Sequence, residues 1–484
     1  MLVRSAPRLR NATCQSRPGH YHRSAIGKEA GIAIEAKFTV LYTSRAACFE
    51  RRTKDQGVVF RASRRSTMPL RPKGCEKNSS NALTSMKFPP PHIVPLESIL
   101  PEEPLLMMGA GPVPIPHRVA YANSIVINHL GETMAKVITQ VKDMGRYVFQ
   151  TASPHVLGVA GPGSAAMEMA ITNLVAPGTR VLCVSNGYFS ERMGEMARRV
   201  GGQVEMLEIP ENKSADPQLI EARLRASKFG VLTIVQGETS NTVCNVELQA
   251  IAKLAKSHGC LVIVDAVCTL STMPLKMDEW QIDAVITGGQ KGLSSIPGVS
   301  LLAFSEDAWT VIERRTDVLP HWCLDAKLAD RFWNQNSYHY TAPVSGILAL
   351  HEALRLVCDE TLFRRFRRHR SCSEALQEGI EALGLALLVP KEWRLNSVVG
   401  ICIPQQISPD RVRSHMSKVH RVEISGSFGL NILRIGQMGE QCREHNLFRT
   451  LHALGLSLEA SGLRPDLPAG MAALERKLAE RAAS

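Results

Sequence analysis

Lys291, in the glycine-rich stretch Thr287-Gly-Gly-Gln-Lys-Gly-Leu293, follows Asp265 of Val262-Ile-Val-Asp-Ala266 by 26 positions. Both stand where apolar, strand-like runs end. A lysine at a strand end can carry a carbonyl cofactor as a Schiff base, and an aspartate one strand away can keep a pyridine nitrogen protonated. Together they point to pyridoxal phosphate. An ionised carboxylate closing an apolar strand needs a partner or its pKa rises, and a pyridinium nitrogen is such a partner. The plainer reading of Asp265 is a helix cap. A desolvated lysine near other cations gains a nucleophilic amine, whereas the plainer reading of Lys291 is an exposed loop lysine.

Other strand ends carry groups suited to the same ligand. Gly158-Val-Ala-Gly-Pro-Gly-Ser164 precedes a helical stretch, so beyond Pro162 the amides of Gly163, Ser164 and the next residues would present free N–H groups to a phosphate at a helix N-terminus; a glycine turn capped by Ser164 is the alternative. Ser185-Asn-Gly-Tyr-Phe-Ser190 places Tyr188 or Phe189 where a ring can stack on a flat heteroaromatic, or simply pack in the core. Gln236-Gly-Glu-Thr-Ser-Asn241 is polar, and its Thr239 and Ser240 are candidate donors to a substituted ring. Arg434 alternates with apolar neighbours in Leu433-Arg-Ile-Gly-Gln-Met-Gly439 and so projects from the opposite strand face. Its planar fork suits a substrate carboxylate, or a surface acid.

The elements that must position these groups follow a βα rhythm. From Val156 to Phe304 short apolar runs alternate with helical stretches, which predicts an α/β fold around a largely parallel sheet. Strands are predicted at 181–184, 204–209, 231–235, 260–264, 284–287 and 300–304, with helices at 165–175, 191–200, 217–226 and 247–258. Ligands of such sheets sit beyond the carboxyl ends of the strands. A long helical region over 344–383 leads to a smaller α+β part with strands at 398–403 and 431–435, helices at 409–419 and 444–454, and an amphipathic helix at 469–482 packed on it. The expected organisation is a basic extension at 1–85, a large domain at 86–345 and a small C-terminal domain at 346–484.

Composition narrows the function class. The 484 residues carry a net charge of +12. Residues 1–85 hold 17 Lys and Arg against 5 Asp and Glu, leaving 40 of each sign for the rest. The folded body is therefore formally neutral, which argues against a nucleic-acid surface. No apolar run approaches the roughly 20 residues of a membrane span. The twelve cysteines stand singly, the pattern of a reducing compartment, so a cytoplasmic location is expected. The basic leader reads as disordered or as upstream of the true start at Met68 or Met86; a mitochondrial transit peptide is the alternative, weakened by Glu29, Glu35 and Glu50.

From about Met108 to Leu456 the chain resembles the class V aminotransferases of fold type I, most closely the alanine-glyoxylate and serine-glyoxylate branch. The matching segments are Gly109-Ala-Gly-Pro112, Ala160-Gly-Pro-Gly-Ser-Ala-Ala166, Glu238-Thr-Ser240, Val264-Asp-Ala-Val267, Gly289-Gln-Lys-Gly-Leu293 with Pro297-Gly298, Tyr338-His-Tyr-Thr341 and Leu433-Arg-Ile-Gly436. The resemblance implies that Lys291 holds pyridoxal phosphate, Asp265 pairs with its ring nitrogen, Phe189 stacks on the ring, and Gly163, Ser164 and Gln290 hold the phosphate. It further implies a homodimer in which Tyr338 and Thr341 reach the partner's cofactor, and a substrate carboxylate on Arg434, with Gly111 on the substrate side. The turn after Glu238-Thr-Ser240, Asn241-Thr-Val-Cys244, departs from the family pattern, and Asn241 is expected to face the substrate. The implied reaction is ping-pong transfer from a small amino acid such as alanine or serine to glyoxylate or pyruvate. Ureidoglycine-glyoxylate and pyridoxamine-pyruvate transamination are alternatives. A desulfurase or lyase of the same class would carry a histidine before the lysine and a reactive cysteine soon after the arginine; here Gln290 precedes Lys291, and the first cysteine beyond Arg434 is Cys442. A descendant that binds without turnover would not need Lys291, Asp265 and Arg434 together.

Overall fold

The computed structural model describes residues 91–482 apart from Glu211 and Phe428. The basic segment 1–85, and with it the transit-peptide reading, lies outside the described residues. Among the described residues before Pro101 there is a single-turn helix, Leu96–Ser98. The compact unit that contains Pro101–Ser484 carries every residue discussed below.

Its centre is a seven-stranded sheet. In chain order the strands are β1 (Val156–Ala160), β2 (Arg180–Ser185), β3 (Gln203–Glu208), β4 (Val231–Val235), β5 (Leu261–Asp265), β6 (Ala284–Ile286) and β7 (Val299–Phe304). They lie side by side as β1-β7-β6-β5-β4-β2-β3. All neighbouring pairs are parallel except the two that β7 makes, with β6 and with β1. Two antiparallel steps restore the direction of β1, so β1, β2, β4, β5 and β6 all end on one edge. Central strands buried on both faces are largely apolar, and β4 and β7 are buried at every position, with Thr233 and Ser300 as their polar residues. Helices Gly163–Leu174, Tyr188–Arg199, Pro217–Ala226 and Leu248–Ser257 connect the strands within a few residues of the predicted spans. Pro217–Ala226 shows the local logic: Asp216 accepts from the Gln218 amide and Pro217 occupies the first helical position.

A second core surrounds the antiparallel pair Val398–Cys402 and Ile432–Gly436, with Leu433 and Ile435 packed against Leu376, Leu451 and Leu454. The terminal helix Leu467–Ala482 docks there through Leu474 and Leu478. The two cores interleave in sequence and do not meet at residue 345. Leu106–Met107 pairs with Val422–Glu423 and Met108 joins the second core, while helix Val344–Glu360 packs Ile347, Leu350 and Leu354 on the first. The helical region expected to run unbroken over 344–383 is two helices, Val344–Glu360 and Leu362–Ala382, because Thr361 takes a left-handed conformation (φ 67°) and ends the first. Helices Glu132–Phe149 and Ala326–Gln335, not assigned from sequence, cover the β1 side. Among the described residues no helix is long and apolar enough to cross a membrane.

Gly158 of β1 lies against the Trp333 indole, whose Cζ2 would stand 2.1 Å from an added Cβ. Gly158→Ala should therefore lower unfolding free energy by about 1–3 kcal/mol through overpacking. Denaturant melts should show a smaller loss in a Trp333→Phe background; equal losses in both would mean the indole is not the obstacle.

Candidate active site

Lys291 sits in a tight turn after β6. Its amide donates to the Gly288 carbonyl (3.2 Å), its carbonyl accepts from Ser294 (2.9 Å), and the Gln290 carbonyl accepts from Val113 (3.1 Å). Nζ donates to the carbonyl of Ala110. Gly111 is required beside it: φ is +102°, and a Cβ would come within 2.5 Å of Nζ. Burial lowers the Lys291 pKa, and the nearby Arg434 charge acts in the same direction.

Asp265 ends β5 and is buried. Oδ1 accepts from the Val267 amide at 2.8 Å and closes a local turn; no described helix starts there, so Asp265 is not a helix cap. Oδ2 has no hydrogen-bond partner among the described residues, and no lysine, arginine or histidine among them pairs with the carboxylate. Burial pushes its pKa up to about 7 against the pull of the Val267 amide.

Across the cavity, helix Gly163–Leu174 begins at Pro162 with no side-chain cap, which leaves its first amides for an outside acceptor. Gly163 packs so closely on Val267 that a Cβ would lie 2.7 Å from Cγ2. Ser164 does not cap its helix; Oγ accepts from Arg192 Nη1 at 2.8 Å. Arg192 also lies over the rings of Tyr188 and Phe189, 4.9 Å from each centroid. It went unnoticed in the sequence. The signal was present, because Tyr188 and Phe189 stand four and three residues before it on one helix.

Glu238 organises this wall. Its carboxylate accepts from the amides of Phe189 and Ser190 (both 3.0 Å) at the start of helix Tyr188–Arg199, and from Ser240 Oγ (2.6 Å). Ser240 thus serves Glu238 and accepts from the Tyr188 amide, and it is not the ring donor expected from sequence. Thr239 does line the cavity, and its carbonyl accepts from Arg434 Nη1 at 2.6 Å. Arg434 Nε donates to the Gly426 carbonyl (2.6 Å). Burial lowers this guanidinium's pKa to about 10, the direction expected when a cation loses water.

These groups enclose a cavity of about 160 Å3, reached by Gly163, Ser164, Phe189, Thr239, Asp265 and Lys291. Gln290 lines it too, with a buried Oε1 that lacks a partner. Cys268, unremarked in the sequence, also faces it; its thiol donates to the Gly237 carbonyl (3.1 Å), and burial raises its pKa, so it stays protonated. Asn241 does not line the cavity. Its amide nitrogen donates to the Asn186 carbonyl and its Oδ1 accepts from Val243, so it braces the turn that was expected to present it to substrate. Tyr338 and Thr341 are exposed and also outside this cavity.

The residues fit pyridoxal phosphate on structural grounds. A buried carboxylate with one oxygen unpartnered among the described residues matches a pyridinium, a part-buried amine across the cavity matches a carbonyl carbon, and an uncapped helix start with an adjacent arginine matches a phosphate. Fold and site together define a pyridoxal-phosphate-dependent aminotransferase of fold type I. The chain belongs to the class-V aminotransferases, whose family model matches residues 117–431. It is 32% identical over 393 residues to an alanine-glyoxylate aminotransferase of Drosophila melanogaster, covering 79% of this chain and 99% of that one. Among solved structures it is similar to a ureidoglycine-glyoxylate aminotransferase of Bacillus subtilis, with TM-score 0.76, 30% identity, and 78% and 99% of the two chains covered. It is also similar to an alanine-glyoxylate aminotransferase of a Nostoc species, with TM-score 0.71, 32% identity, and coverage of 76% and 100%.

The raised pKa of Asp265 has a measurable sign. An unfolded aspartate titrates near 4, so between there and about pH 7 the folded, cofactor-free protein binds the extra proton, and stability falls as pH rises through that window. The cofactor-free Asp265→Asn protein should gain on the wild type by a few kcal/mol between about pH 4.5 and pH 8. Denaturant melts at both values check this; a pH-independent difference would contradict the buried, unpaired carboxylate.

Proposed function

We propose that this aminotransferase takes its amino group from a small amino acid, alanine or serine, and passes it to a 2-oxo acid, glyoxylate before pyruvate. The observation that carries this is the placement of Arg434. Its fork is fixed by the carbonyls of Thr239 and Gly426, and its charge acts on Lys291. A substrate held there by its carboxylate presents its α-carbon near the lysine. The related alanine-glyoxylate and ureidoglycine-glyoxylate enzymes share glyoxylate in their names, which favours it as acceptor. Ureidoglycine as donor is the second reading, supported by the likeness to the Bacillus subtilis structure.

Pyridoxal phosphate, when bound, supplies the carbonyl that takes the amino group and the electron sink for the substrate's α-carbon. In this reading Asp265 holds the proton on the ring nitrogen through Oδ2, and the desolvated Lys291 Nζ takes the proton from the substrate α-carbon. Phe189, fixed by Glu238 through its amide, stacks on the ring. The amides of Gly163 and Ser164, with Gln290 and the Arg192 charge, hold the phosphate. Exposed Tyr338 and Thr341 reach the partner's cofactor in a homodimer. Cys442 argues against the desulfurase reading: it is buried against the Arg368 and His369 carbonyls, and burial raises its pKa well above that of an ordinary thiol.

The test is a half-reaction followed by absorbance, with alanine, serine and ureidoglycine offered singly and glyoxylate or pyruvate used to reverse it. Conversion by alanine or serine, reversed best by glyoxylate, is expected; conversion by ureidoglycine alone would install the second reading. Borohydride should attach the cofactor irreversibly to Lys291, and Lys291→Ala should abolish both this and turnover. Arg192→Met should weaken cofactor affinity about 10- to 100-fold, the range for losing a charged hydrogen bond; equilibrium dialysis reads this directly, and wild-type affinity would remove Arg192 from the phosphate site.

A further inference from the structure

The turn that carries Lys291 is gripped from behind by buried charges that the transamination chemistry does not use. Glu360 ends helix Val344–Glu360, and Arg365 and Arg368 lie in the first turns of helix Leu362–Ala382. The arginines are 3% and 6% exposed. Glu360 Oε2 accepts from Arg365 Nη1 (2.7 Å) and Arg368 Nη2 (2.8 Å), and Oε1 accepts from Arg368 Nε. Burial alone would raise the Glu360 carboxyl, but the two guanidiniums hold it down at about 2. Desolvating such groups offsets most of their attraction, so a buried ionic cluster is weak evidence of a stability role.

The other hydrogen bonds of the two arginines reach backbone that flanks the active site, directly or through Ser271. Arg365 Nη2 donates to the carbonyl of Gly292, the residue after Lys291, and Nε donates to Ser271 Oγ (3.2 Å), which itself donates to the same carbonyl (2.9 Å). Arg368 Nη1 donates to the carbonyls of Gly439 (2.9 Å) and Cys442 (2.7 Å), in the turn that follows the Arg434 strand. His369 is kept neutral by burial and the two neighbouring arginines, so Nε2 accepts from the Gly439 amide at 3.0 Å. The two turns also touch. The Glu440 amide donates to Ser294 Oγ (3.1 Å), and Gly439, at φ +55°, approaches so closely that a Cβ would overlap that oxygen.

One carboxylate thus ties the lysine-bearing turn to the end of the strand that carries the carboxylate-binding arginine. We propose that Glu360, Arg365 and Arg368 are positioning residues for the transamination, a buried clamp that fixes Lys291 Nζ relative to Arg434. The inference rests on the reading of Lys291 as the proton carrier.

The test compares Arg365→Met, Arg365→Lys and Ser271→Ala with the wild-type holoenzyme in half-reaction kinetics, in the pH midpoint of the bound-cofactor absorbance, and in thermal melting. Misplacement of a reacting group by a fraction of an ångström lowers turnover more than binding, so Arg365→Met should lose about tenfold or more in kcat, with KM and cofactor affinity within about threefold. Its absorbance midpoint should shift as the amine moves. Arg365→Lys keeps the charge beside Glu360 but not the fork that spans Ser271 and Gly292, so it should regain melting temperature without regaining kcat. If Arg365→Met does not fold, Ser271→Ala, which removes one hydroxyl, should show the same shift at smaller size. Melting losses with an unmoved midpoint and unchanged kcat would overturn the clamp, as would full kinetic rescue by lysine. Lys291→Ala separates the two ideas: residual turnover there overturns the underlying reading, whereas a dead Lys291→Ala beside wild-type kinetics in Arg365→Met overturns the clamp alone.

Discussion

The site depends on burying an amine and a carboxylate in one cavity without letting them neutralise each other. Two opposite charges removed from water attract strongly, and a direct Lys291–Asp265 ion pair would occupy both groups needed for chemistry. The structure prevents it by placing Asp265 on the end of β5 and Lys291 in the turn beyond β6, each committed to a backbone partner, Val267 and Ala110 respectively. The desolvation left over appears as a carboxyl displaced toward about 7 and a lysine displaced downward. A ligand with a pyridinium at one end and an electrophilic carbon at the other would relieve both displacements, so the two displaced groups together match the cofactor.

Around that pair, the structure uses backbone far more than side chains. Glu238 spends its carboxylate on the amides that start the helix bearing Phe189, while the next residue, Thr239, offers its carbonyl to Arg434. One short loop after β4 therefore sets both the aromatic wall on the sheet side and the arginine of the second core. The Glu360 cluster repeats the idea behind Lys291, where two guanidiniums bound to one carboxylate also hold backbone carbonyl oxygens. The Arg434 guanidinium, held by the Thr239 and Gly426 carbonyls, also depresses the proton affinity of neighbouring Lys291.

Much of the sheet was legible because central strands are nearly continuous apolar runs and connecting helices must be amphipathic. The spans of β2 to β7 fall within a residue or so of their predicted limits for that reason. Lys291, Asp265, Gly163, Ser164, Phe189 and Thr239 were legible as site residues because each directly follows such a strand. Where sequence reading went astray, competing contacts decided, some of them local and some remote. Ser240 and Asn241 look like ligand donors in a polar turn, but Glu238, Asn186 and Val243 claim them. Arg192 looks like one more charge on an exposed helix until Ser164 and two rings are found beneath its fork. The break at Thr361 left no mark in a continuous helical pattern, since nothing in the residue type alone demands a left-handed backbone there.

By itself, the sequence determined which strands exist, that their ends share an edge rich in chemistry, and that a lysine and an aspartate stand one strand apart on it. Those features are local, set by apolar period and strand-end position. Only the tertiary structure decided that the amine and carboxylate stay unpaired, that the first and second cores exchange Met108 and helix 344–360, and that Glu360 binds two arginines whose other hands hold the lysine turn and the turn after Arg434. Partners of that kind, such as Arg365 with Gly292, lie dozens of residues apart. What unites them is desolvation, a property of the packed interior that no stretch of sequence possesses until the chain has folded around it.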